Sequence, residues 1–120
     1  MTWQRVIGGV STAASIGLGA YGAHGLPKQP GMTPVKLKQF EAANRYQMIH
    51  SIALAFLPSI VPPTHKLALQ ISSGCFLSGT AMFAGGVYGK VAGFDEMAKA
   101  SPAGGVLLMA GWVALGVLRR

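Results

Sequence analysis

The sequence predicts an all-α fold, an integral membrane bundle of four transmembrane helices with an interfacial extension at the start of the second. Three observations lead there. Only 11% of the 120 residues are charged, under half the roughly 25% of an ordinary soluble domain, while 51% are hydrophobic. The charges leave four uncharged blocks: 22 residues from Val6 to Pro27, 20 from Tyr46 to His65, 23 from Leu67 to Gly89 and 19 from Ala100 to Leu118. A helix crossing a ~30 Å hydrocarbon core needs roughly 20 mostly apolar residues, so every block has spanning length. The third observation is the 17 glycines. They are a liability in soluble helices, at about 1 kcal/mol each, but in lipid they let backbones approach closely.

The first helix is expected over about 6–22, closing near Gly22 and Gly25. Thr33-Pro34 is a cap-and-proline start for the second, over 34–61. There Val35, Leu37, Phe40 and Ala43 would dip into the interface while Lys36, Lys38, Glu41 and Arg45 face headgroups. Glu41 and Arg45 stand four apart, acid first, the favourable order on a helix. Entry into the bilayer is expected near Tyr46, with a kink at Pro58, which removes a backbone donor, and an end at Pro62-Pro63. The third helix takes 67–88. The fourth takes 101–118, with Ser101-Pro102 as a second cap-and-proline start. A cleaved secretory signal over the first 23 residues is the rival reading, and the periodic glycines there argue against it.

Ten Lys+Arg against three Asp+Glu give a net charge of +7, and none of these residues falls inside an expected span. The excess forms two headgroup-facing collars. Arg5, Lys66, Arg119 and Arg120 make one; Lys28, Lys36, Lys38, Arg45, Lys90 and Lys99 make the other. The expected partner is therefore the bilayer itself, with anionic lipid, cardiolipin included, at the collars. Nucleic acid is not an expected partner, since a basic surface for it should be largely polar. A disordered chain is excluded by the hydrophobic content. One cysteine, Cys75, excludes a disulfide framework or a cysteine zinc cluster.

The small residues form stripes. Gly9, Ala13 and Gly17 recur every four positions, as do Ser11, Ser15, Gly19 and Ala23; Gly79 and Gly85 mark the third helix. These are helix-packing candidates, and the first helix carries one stripe more than a single internal contact needs. That surplus points to a partner protein.

No catalytic constellation is present: Glu41, Asp95 and Glu96 lie in connecting segments, and no HExxH, P-loop or GxSxG occurs. No cofactor is required by any motif. His24 at the end of the first helix and His50 in the second are the candidate binding residues, expected at similar depth near Tyr21, Tyr46 and Gln47. Two neutral imidazoles suit a haem, a metal or a quinone headgroup, or else simply lock the helix corner. Ser72, Ser73 and Ser78 are expected to bond back to their own helix.

Several of these residues form a pattern. Gly19-Ala20-Tyr21-Gly22-Ala23-His24-Gly25 is followed by Tyr46 and His50, then by Pro102, Gly104, Gly105 and Trp112. Together they resemble the small four-helix membrane family known as transmembrane protein 256, with its bacterial domain-of-unknown-function relatives. The resemblance runs from about 7 to 118 and implies four spans and no known chemistry. It also implies a mitochondrial inner membrane in preference to a bacterial plasma membrane. The functional expectation is a non-catalytic accessory or assembly subunit of a larger respiratory membrane complex. The alternative is a haem-, metal- or quinone-binding module using His24 and His50.

Overall fold

The computed structural model describes residues 2–119 as four α-helices. They are α1 (Trp3–His24), α2 (Pro34–Ile60), α3 (Lys66–Val91) and α4 (Ser101–Val117), with single 3-10 segments at Leu26–Lys28 and Asp95–Ala100. The expected starts and ends hold to within a few residues. Thr33 caps α2 by accepting a hydrogen bond from the Lys36 amide at 3.2 Å, and Pro34 takes the first helical position. Gly25 closes α1, its amide donating to the Tyr21 carbonyl at 2.8 Å. Ser101 is not the cap expected of it. A 3-10 segment precedes it, and its hydroxyl is drawn across to the Phe83 carbonyl of α3 at 3.0 Å. The helix of α2 runs on through Pro58.

Three helical stretches, Trp3–Lys28, Lys66–Val91 and Asp95–Val117, are each long and apolar enough to cross a membrane. The α2 helix is more polar, yet the connectivity makes it cross too. At one end Arg5 donates to Ser59 at 2.8 Å and Gln4 to Ser73 at 3.2 Å, so α1 and α3 start beside the finish of α2. At the other end Gly22 of α1 lies against the ring of Phe40, early in α2. Hence α1 and α3 run parallel and α2 returns between them over the same distance. The bundle is 52 Å long, which exceeds a ~30 Å hydrocarbon core and leaves a collar at each end. Arg5, Lys66 and Arg119 fall at one end as expected; Arg120, assigned there too, lies outside the described residues.

Packing follows chain order, α1 on α2, α2 on α3 and α3 on α4. The core has two apolar ends. Leu57, Val61, Phe76 and Leu108 fill one, and Leu26, Phe40 and Val91 the other. Phe40 and Ala43 are buried among the helices, because Gly22 leaves room for the Phe40 ring against α1. The start of α2 is thus the first turns of one continuous packed helix. Among the described residues the only ion pair is Lys99–Glu96, exposed and three residues apart; Glu41 and Arg45 do not pair. Exposed pairs of this kind contribute little.

Candidate functional site

Between the apolar ends lies a polar middle layer. Asn44 of α2 and Ser15 of α1 exchange bonds: Asn44 Nδ2 donates to the Ser15 carbonyl at 2.8 Å, and Ser15 Oγ to the Asn44 carbonyl at 3.1 Å. One turn on, Gln47 Nε2 donates to the Ser11 carbonyl at 3.1 Å, while Tyr88 of α3 donates its hydroxyl to Gln47 Oε1 at 2.6 Å. Ser11 and Ser51 share a hydrogen bond at 2.6 Å. Small residues place these groups. Gly8 lets α1 sit on the Ser51 carbonyl and Ala55, and Gly19 accommodates Asn44. In hydrocarbon such groups need partners within the protein, and this seam provides most of them.

His50 sits on the other side of α2, facing α4. Its Nδ1 donates to the Tyr46 carbonyl at 2.7 Å, one turn back, and its Nε2 accepts from Trp112 Nε1 at 3.0 Å. A carbonyl accepts only and an indole N–H donates only, so the imidazole is the neutral tautomer with its proton on Nδ1. Aromatic rings enclose it. Tyr46 stacks on it at 6.1 Å, Phe76 and Trp112 meet it edge-on at 5.4 and 5.9 Å, and Phe83 stands against Tyr46. Both ring nitrogens are thus committed within the chain.

His24 is elsewhere. Ser11 marks the level of His50 on α1, and His24 lies 13 residues further along, about 20 Å at 1.5 Å per residue. The expectation of similar depth fails for a physical reason. The α2 helix packs against α1 from its first turns, so His50 is already four turns in when it reaches the polar layer. The two histidines do not form one site. Among the described residues no group of three or more His, Cys, Asp or Glu side chains converges as a metal cluster would.

The other motif residues do converge. Gly104 brings α4 onto the backbone of α3 at Gly79 and Phe83, and Gly105 lies beside the Phe83 ring. Pro102 stands in the first turn of α4, and Trp112 reaches His50. Tyr46, His50, Gly105 and Trp112 therefore line one region where α2 faces α4, while Gly104 makes the α3–α4 contact. The Trp112–His50 bond is not legible in the spacing of the sequence; the available signal is only that an indole N–H needs an acceptor.

The packing candidates divide. Gly19 and Gly79 meet neighbouring helices, Gly79 with Leu108 and the Gly104 carbonyl. Gly9 and Gly17 have nothing within 4 Å of a would-be side chain, and with Ala13 they face outward. Gly85 likewise has open space beside it, because it lines a cleft instead of a contact. Of the three serines, only Ser78 bonds back to its own helix, at Gly74. Ser72 donates to the Gly111 carbonyl of α4 at 2.9 Å, and Ser73 accepts from Gln4 of α1. The small residues nearby bring foreign acceptors and donors closer than a bulky interface would.

Comparison with known proteins adds the relatives. Residues 18–105 match a family described as a protein of unknown function, DUF423. A UPF0382 membrane protein of Staphylococcus aureus (strain bovine RF122 / ET3-1) is 30% identical over 111 residues, covering 92% of this chain and 88% of that one. One of Schizosaccharomyces pombe is 32% identical over 107 residues, covering 84% and 87%. One of Bacillus subtilis is 26% identical over 115 residues, covering 93% and 91%. No solved structure matches.

Proposed function

The chain belongs to the DUF423 family of membrane proteins, and from that premise we propose that it is a non-catalytic packing subunit of a larger membrane assembly, docked through the outward face of α1. The observation that carries this is the stripe of Gly9, Ala13 and Gly17. Each glycine in a helix interior costs about 1 kcal/mol relative to alanine. Gly8, Ser11, Ser15 and Gly19 already make the α1–α2 contact, so Gly9 and Gly17 gain nothing inside the chain. In lipid the return on such residues is close approach by another helix.

The relatives include bacterial and fungal proteins, so the host must have counterparts in both kinds of cell. Respiratory enzymes of the bacterial plasma membrane and the mitochondrial inner membrane meet that condition, with anionic lipid such as cardiolipin at the basic collars. The motif around His24, with Tyr46 and His50, is the ground for placing the chain beside transmembrane protein 256 within the family, and so in mitochondria.

Native electrophoresis of gently solubilised membranes tests the proposal. The expected result is comigration with a larger complex. Gly9→Leu/Gly17→Leu releases the protein to its free position while its helicity is unchanged, because both side chains enter open space. Migration of the wild-type chain only as a free monomer or small homo-oligomer overturns the proposal.

A further inference from the structure

The cleft that Gly85 leaves open lies between α1 and α3 over the middle of α2. It encloses about 300 Å³, at the lower end of the range for small-molecule sites. Its walls are mostly apolar, Leu54, Phe76 and Ala84 among them, and no acidic or basic chain other than the committed His50 lines it. Ile7, Leu77 and Ala81 form an exposed rim, so it opens toward lipid.

Hydrogen-bond accounting shows what it lacks. The Ser11–Ser51 bond uses one of two hydroxyl protons. Thr12 and Ser78 return their protons to carbonyls of their own helix, at Gly8 and Gly74. Neither Ser11 nor Ser51 does so, and Ser51 is only 3% exposed. One donor there is left without an acceptor. Thr80 also lines the cleft, and among the described residues its hydroxyl makes no hydrogen bond. Two spare O–H donors therefore border one apolar cavity in a medium that supplies no acceptor of its own. A charged ligand is excluded by the cost of burying it without a counter-charge.

The depth narrows the class further. Thr80 is 14 residues from the start of α3 and 11 from its end, about 21 and 16 Å at 1.5 Å per residue. Glycerol ester carbonyls sit at the edge of the ~30 Å core and do not reach this level without drawing their headgroup into it. A neutral ring bearing carbonyls on an apolar tail does reach it. We propose that the α1–α3 cleft binds a quinone-type amphiphile, its carbonyl oxygens accepting from the Ser11–Ser51 pair and from Thr80. This site borders the Trp112 contact, since His50 and Phe76 line both, and is independent of the outward stripe of α1.

The test uses the full chain in nanodiscs, titrated with a decyl-substituted benzoquinone, bound adduct being counted by native mass spectrometry. Saturable binding of one molecule per chain is expected. Thr80→Val weakens it about tenfold, the scale of one well-made hydrogen bond. Gly85→Leu fills the cleft and abolishes binding, with helicity kept because its side chain enters open space. Gly9→Leu, on the other face, leaves binding unchanged, which separates this result from the docking proposal. Absence of saturable binding, or equal binding by Thr80→Val and Gly85→Leu, overturns the site. Displacement by an equal concentration of dioleoylglycerol overturns the assignment to a quinone-type ring.

Discussion

Replacing Gly104 by alanine is expected to push α4 off α3 and cost the bundle about 3 kcal/mol, the upper end of overpacking penalties. The added methyl would stand 2.8 Å from the Gly79 carbonyl oxygen and 2.9 Å from the Met82 carbonyl carbon, and closer still to the Phe83 amide nitrogen. All three are backbone atoms of a helix, which cannot rotate aside as a side chain does. Relief requires moving α4 as a body, and that breaks the bonds from Ser101 to Phe83 and from Ser72 to Gly111 as well. The measurement is loss of helicity during titration with a denaturing detergent, compared with Gly116→Ala. Position 116 has open space, so its alanine variant should be as stable as the wild type or more so by up to about 1 kcal/mol. Equal stability of the two variants would refute the close α3–α4 contact.

The next largest effect is expected at the His50–Trp112 bond. His50→Leu leaves the Trp112 N–H without its acceptor, at a cost of about 1 kcal/mol, the scale of one part-buried hydrogen bond. Trp112→Phe leaves His50 Nε2 unpaired and also thins the aromatic wall against Phe76. The double variant should lose less than the sum of the two, because once one partner is gone the other has nothing more to lose. The same detergent titration reads all three. Strict additivity would mean the two side chains do not depend on each other.

Much of this architecture was legible in the sequence because charge placement reports on lipid directly. The four uncharged blocks became four helices, Thr33-Pro34 became a capped start, and Arg5 and Lys66 fell at one end. What stayed hidden was rotation and depth. Stripes of small residues at spacing four look alike whether they face a neighbour or lipid. Gly9 and Gly17 therefore read the same as Ser15 and Gly19 until α2 is in place. The depth of His50 depended on whether the start of α2 lay flat or packed, and a single contact, Phe40 in the hollow at Gly22, decides that. The serines of α3 were misassigned because self-bonding is the default for a hydroxyl in a helix. Only the positions of Gln4 and α4 reveal that Ser73 and Ser72 have better partners.

The seam of Ser11, Ser15, Asn44 and Gln47 has a consequence for how the chain enters the bilayer. Each helix alone would carry polar side chains into hydrocarbon with no answering group, and α2 is the poorer span of the two. Paired, they hide most of those groups from lipid and most of the penalty is removed. The first half of the chain is therefore far more stable in the membrane as a hairpin than as two separate helices, so α1 and α2 partition together.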